Sequence, residues 1–125
     1  MKNSNSLSEI EWQIMTVLWD KGVMSVKEVL QSVYPNGEKA YTTVQTYMDR
    51  MVDKQLLEKQ KIGLVNFYHP IVERKTVMKQ ATDNLVSRAF NGSFGSLAAF
   101  LVDSYNLSTE DLGKIKQLIK KREGV

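Results

Sequence analysis

The sequence predicts a mainly α fold: three short helices and a β-hairpin, followed by three further helices. Three observations carry this. Apolar residues recur at spacings of three and four along most of the chain, which places them on one face of a helix. Serine followed three residues later by an acid opens three of the stretches, at Ser8–Glu11, Ser25–Glu28 and Ser108–Asp111. Between residues 57 and 69 that rhythm gives way to two strand-like runs, with Gly63 where a hairpin turn needs it.

In the first stretch Ser8 caps, Glu11 closes a capping box and Leu7 packs on Trp12 as a staple. Ile14, Met15, Leu18 and Trp19 continue the helix, and Gly22 stops it after Asp20 or Lys21. Trp12 and Trp19 read as packing residues rather than as a base-stacking platform. Met24-Ser25-Val26-Lys27-Glu28-Val29 repeats the device, and Tyr34-Pro35-Asn36-Gly37 ends the second helix with turn chemistry. The third runs from Ala40 to Lys54, with Val44, Met48, Met51 and Val52 on one face. Three short helices joined by short turns are the skeleton of a helix-turn-helix. Leu57–Lys61 and Val65–His69 then form two strands, the wing of a winged helix-turn-helix, and Pro70 closes a domain of residues 1–70.

Residues 71–125 read as a three-helix region. Val72–Phe90 is one helix, Asn91-Gly92-Ser93 breaks it, and a short apolar helix follows around Phe94–Val102. Leu107-Ser108 opens the last helix, whose basic end Lys120-Lys121-Arg122 suits the negative pole of the helix dipole. So few residues cannot bury so much apolar surface alone. A second copy of the segment is the simplest partner, and Leu85, Ala89, Phe90, Leu97, Phe100, Leu101, Leu112, Ile115 and Ile119 are the expected dimerisation residues.

Composition narrows the function. The 125 residues are 42% hydrophobic and 25% charged, ordinary for a soluble protein. There is no cysteine, which excludes disulfides and thiolate metal sites. No run is apolar enough to cross a bilayer, and MKNSNS is not a signal peptide, so the expected location is cytoplasmic without membrane insertion. The net charge of +3 is weak support for a polyanionic partner. Residues 1–70 hold seven Lys and one Arg against eight acids and are neutral, so affinity for nucleic acid must come from local placement of charge.

That placement centres on the third helix. Its outer side carries Thr42, Thr46, Asp49, Arg50 and Asp53, with Thr43 and Gln45 at the edges, in place of the Glu/Lys coat of a solvated helix. Short hydroxyls and an amide can bond base edges in a major groove of double-stranded DNA. Thr42, Thr43, Gln45 and Thr46 are the expected groove contacts, and Arg50 is shared between base and phosphate. Lys54, Lys59, Lys61 and the helix start at Ser25 would hold the DNA backbone. Asp49 could accept from a cytosine amine or merely keep the helix rear off the phosphates. A homodimer would set two such helices on a near-palindromic operator.

LSEIEWQIMTVLWDKG, SVKEVLQSV, AYTTVQTYMDRMVDKQLLEKQKIG, FYHP and FNGSFGSLAAFLVD together resemble the penicillinase-repressor family, over roughly residues 7–119. The family includes repressors of β-lactamase and methicillin-resistance genes and copper-responsive relatives. The resemblance implies a homodimeric winged-helix repressor, in some members inactivated when a membrane sensor with a zinc-protease domain triggers cleavage before a Phe. The matching bond is Ala99–Phe100, where antibiotic-responsive members carry Asn in place of Ala99. At the wing tip many relatives have Gly-Arg, and this chain has Gly63-Leu64. The cysteine cluster of the copper-responsive branch is missing.

Enzyme chemistry finds no support. His69, the one histidine, lies in a strand beside Pro70 with no nucleophile elbow or Gly-rich motif, and no spacing matches a metal or cofactor site. The rival reading is a winged helix used for protein–protein contacts without DNA, which the neutral charge of residues 1–70 favours.

Overall fold

A computed structural model describes residues 6–124. In chain order the elements are α1 (Glu9–Lys21), β1 (Met24–Ser25), α2 (Val26–Val33), α3 (Tyr41–Asp53), β2 (Leu57–Ile62), β3 (Val65–Pro70), α4 (Arg74–Ala89), α5 (Phe94–Ser104) and α6 (Thr109–Glu123). The chain divides into two compact units, one ending at Thr82 and the other beginning at Asp83. No single described helix is long and apolar enough to cross a membrane.

The capping boxes at Ser8 and Ser25 form, while at Ser108 the side chain accepts the Asp111 N–H without a reciprocal bond from Asp111 among the described residues. Ser8 Oγ accepts the Glu11 N–H and Glu11 Oε1 accepts the Ser8 N–H at 2.9 Å. Ser25 and Glu28 repeat the exchange at the head of α2. Gly22 ends α1 at φ 95°, a conformation that costs a Cβ-bearing residue about 1–2 kcal/mol. At the end of α3 Gln55 takes up that region, at φ 65°, and the Leu56 N–H turns back to the Met51 carbonyl.

The sheet is antiparallel in the order β1-β3-β2. Hairpin β2–β3 turns through Gly63 at φ 65°, with Ile62 opposite Val65 and Leu57 opposite Pro70. Strand β1 was not expected. It is only Met24–Ser25, paired with Tyr68 and Phe67, and it lies inside the staple-and-cap signature of α2. Those two residues serve a sheet and a helix start together.

One core holds the first unit. Ile14, Met15 and Leu18 of α1, Val29 of α2, Val44, Met48 and Met51 of α3, and Leu56, Leu57 and Tyr68 of the hairpin are all at most 1% exposed. Trp19 packs on this core, meets Trp12 edge-on at 6.2 Å, and donates its indole N–H to the Val72 carbonyl at 2.9 Å. The expected helix start at Val72 therefore moves to Arg74, because the Val72 carbonyl is held by Trp19.

Glu11 has a second bond. Its Oε2 receives Lys54 Nζ at 2.6 Å, fastening the end of α3 to the start of α1, and the carboxylate side chain is only 4% exposed.

The second unit is built differently. Neither α5 nor α6 buries a single residue. Phe94, Phe100, Leu101, Val102, Tyr105, Ile115, Leu118 and Ile119 are all more than 40% exposed. Phe90, Phe100 and Tyr105 form an aromatic run with ring centroids 5.6 and 6.1 Å apart. Ser93 and Ser108 cap α5 and α6. The Ala99–Phe100 bond lies inside α5.

Lys54→Met leaves the Glu11 carboxylate buried without its cation. We expect a loss of about 1–3 kcal/mol in urea unfolding at fixed protein concentration, with the slope unchanged. Lys59→Met, whose partner Asp49 is half-exposed, should cost less than about 1 kcal/mol. Equal losses would show that the burial of Glu11 does not decide the outcome.

Candidate nucleic-acid interface

The exposed side of α3 follows from its buried side. With Val44, Met48 and Met51 in the core, a period of 3.6 residues turns Thr42, Thr43, Thr46 and Arg50 outward, and all four are exposed. Together with Tyr47 they line one shallow depression. Thr46 donates its hydroxyl to the Thr42 carbonyl at 2.8 Å. Its donor is occupied, so its lone pairs and methyl group face outward, suited to an amine or a thymine methyl.

Gln45 lies apart from the threonines. It helps line a cleft of about 410 Å³ between α3, the head of α2 and the tip of the hairpin, with Ser25, Lys27, Tyr41, Leu64 and Asn66. Ser25 itself is 8% exposed and committed as a cap, and Glu28 occupies its N–H. Helix geometry leaves the Val26 and Lys27 N–H groups without intrahelical partners, beside the Lys27 ammonium. Lys27 was not among the expected residues. Its position just after the cap was the available signal.

The expected lysines divide three ways. Lys54 reaches Glu11, where a buried capping-box carboxylate draws in a counter-charge. Lys59 is also held within the domain, at 3.1 Å from Asp49 Oδ1 and 5.9 Å from the centroid of the Tyr68 ring. Lys61 is exposed and stands opposite Asn66, a residue that lines the cleft. Among the described residues, Lys27, Arg50 and Lys61 form no ion pair.

Asp49 joins α3 to the sheet. The same Oδ1 that meets Lys59 accepts the Tyr68 hydroxyl at 2.7 Å. Neither role weighed for Asp49, base reader or bystander, anticipated this. Burial of Tyr68, then the bond to Asp49, pushes its hydroxyl above the usual tyrosine range, so it stays a donor at neutral pH. His69 pairs across the strands with Glu58 at 3.3 Å and belongs to the outer face of the hairpin. Leu64 stands at the hairpin tip and is 94% exposed.

A family model described as penicillinase repressor matches residues 7–121. Methicillin resistance regulatory protein MecI of Staphylococcus aureus (strain N315) is 21% identical over 116 residues, covering 93% of this chain and 94% of its own. The penicillinase repressor of Bacillus licheniformis is 23% identical over 123 residues, covering 98% and 96%. Among solved structures, the DNA binding domain of the repressor BlaI superposes with a TM-score of 0.52 at 27% identity, covering 59% of this chain and 90% of that one. A MepR like protein shares the fold at a TM-score of 0.52 and 15% identity, over 96% of this chain and 76% of that one.

Tyr68→Phe should cost about 1–2 kcal/mol at neutral pH through the lost bond to Asp49. Folding favours the protonated hydroxyl, so its contribution is complete below the unfolded pKa near 10 and is lost as pH rises beyond it. Stability measured against pH should show the gap between wild type and Tyr68→Phe closing above about pH 10. A constant gap would remove the hydrogen bond as its cause.

Proposed function

This chain belongs to the penicillinase repressor family, and from that premise we propose that it is a DNA-binding transcriptional repressor acting as a homodimer on a near-palindromic operator. The supporting observation is the hydroxyl-rich outer face of α3, with Arg50 its exposed cation, presented beside a hairpin and a helix N-terminus. The likeness of 59% of this chain to the DNA binding domain of BlaI adds to it. Residues 1–70 make up the DNA-binding part and 71–125 the dimerising part.

In this reading Thr42, Thr43, Thr46 and Arg50 enter the major groove. Gln45 reaches the groove edge next to the cleft. Phosphates settle at the cleft, against the N–H groups of α2, Lys27 and Lys61. The apolar tip at Leu64 makes no charge contact. In the second unit, a partner copy covers the exposed apolar residues of α5 and α6. Relief by cleavage at Ala99–Phe100 would require α5 to unwind, because both residues lie inside it.

Selection of bound duplexes from a random pool tests the proposal. It should return a two-fold symmetric site whose affinity falls steeply with salt, and Lys61→Ala should lower the slope of log K against log salt by about one per protomer. A chain that ignores every duplex at low salt would instead be a protein-binding module. For the dimer, Leu101→Asp should yield monomers in sedimentation, because it places an unpaired charge on the covered face. Dimers that persist would move the interface elsewhere.

A further inference from the structure

We propose that Asp49 is a positioning residue for specificity: by holding Lys59 in an internal ion pair, it keeps that lysine from adding to sequence-independent binding of duplex DNA. The inference rests on the DNA-binding reading above. It deepens that reading by assigning a role to the acid on the reading helix.

The geometry supports it at four points. Asp49 Oδ1 is shared by the Tyr68 hydroxyl at 2.7 Å and Lys59 Nζ at 3.1 Å. Tyr68 is fully buried, so the carboxylate is anchored to a fixed point and does not swing with the lysine. The Lys59 ammonium sits 5.9 Å from the ring centroid of the same tyrosine, so carboxylate and ring face together form its seat. The side chains of Lys59 and Asp49 remain 38% and 42% exposed, so the pair borders solvent where a phosphate can compete for it.

Sequence-independent affinity for DNA is set by how many phosphates a protein neutralises. Lys59 lies on the strand that also presents Lys61, and without Asp49 it would add one such contact on any duplex. With Asp49 in place, that contact forms only if the phosphate displaces the carboxylate. Displacement is favoured where the fit of α3 to the bases brings the backbone close to β2. The pair therefore lowers binding to every sequence and lowers it least at a fitting one.

Asp49→Asn tests this in the full chain. Asparagine is isosteric and still accepts the Tyr68 hydroxyl, but it does not hold Lys59 by charge. On a random-sequence duplex near 0.1 M salt, Asp49→Asn should bind about five- to tenfold tighter per protomer, with the salt slope steeper by about 0.9. On the selected operator the gain should be smaller, so the specificity ratio falls. In a Lys59→Gln background the Asp49 substitution should change nothing, and Lys59→Gln alone should leave the random-duplex slope as in wild type. An equal gain with and without Lys59 would mean that Asp49 acts only as a repulsive charge, and the proposal fails. So it does if Asp49→Asn folds, by thermal melting, and its slope matches wild type. If Asp49→Asn does not fold, Lys59→Gln decides alone: a slope lowered by about one overturns the proposal. If wild type binds no duplex at all, the DNA-binding reading itself falls, a result distinct from the others.

Discussion

The buried stripe of α3 is the constraint on which the rest of the first unit depends. Val44, Met48 and Met51 are at most 1% exposed, each contributing about 1.5–3 kcal/mol of transfer free energy. A helix pinned along one side cannot rotate. Its outer residues keep fixed bearings without any bond of their own. Two polar fasteners then set its pitch: Lys54 on Glu11 at the C-terminal end, and Asp49 on Tyr68 midway along, both in reach of one core. The exposed threonines can therefore be short. A short side chain loses little entropy on contact, but it can reach a base edge only if the backbone behind it is accurately placed.

The same fasteners explain why bulk charge says so little about this domain. Residues 1–70 are neutral by count, yet the positive charges are unequal in use. Lys54 and Lys59 face inward to carboxylates, while Lys27, Arg50 and Lys61 form no ion pair among the described residues. Two lysines within six positions of one another thus serve the fold, and a neighbour two residues further along the strand does not. Counting charges along the chain cannot separate these cases, because what separates them is the depth and position of the opposing acid.

Local signals were therefore legible and distant ones were not. The capping boxes at Ser8 and Ser25, the stop at Gly22, the α3 face and the Gly63 turn are each decided within a few residues, and the sequence displays them. Glu11 was legible as a capping-box acid but not as the partner of Lys54, forty-three positions away. Strand β1 was hidden because its two residues already read as the staple and the cap of α2 and carry no alternation of their own. The bond from Trp19 to the Val72 carbonyl joins residues fifty-three apart and shortens α4 in a way that no periodicity shows. Of the candidate site, the hydroxyl face of α3 could be read directly. Its separation from Gln45, and the entry of Lys27 and Asn66 beside that residue, needed the third dimension.

The two units complement each other energetically if the proposed dimer is accepted. In that reading a winged domain that keeps two of its lysines occupied would make few phosphate contacts and bind any one half-site weakly. A second unit whose α5 and α6 bury nothing has apolar surface in excess, and monomeric soluble proteins rarely leave large apolar patches uncovered. Covering that surface with a second copy links two weak readers, and the second half-site is then met at an effective concentration of about millimolar rather than from bulk solution. Linkage of that kind can raise affinity by about 10²–10⁴ without one added positive charge, and only where two half-sites are suitably spaced. In the proposed dimer, restraint of charge in the first unit and excess of apolar surface in the second would favour the same outcome: strong binding to a symmetric pair of sites and weak binding to everything else.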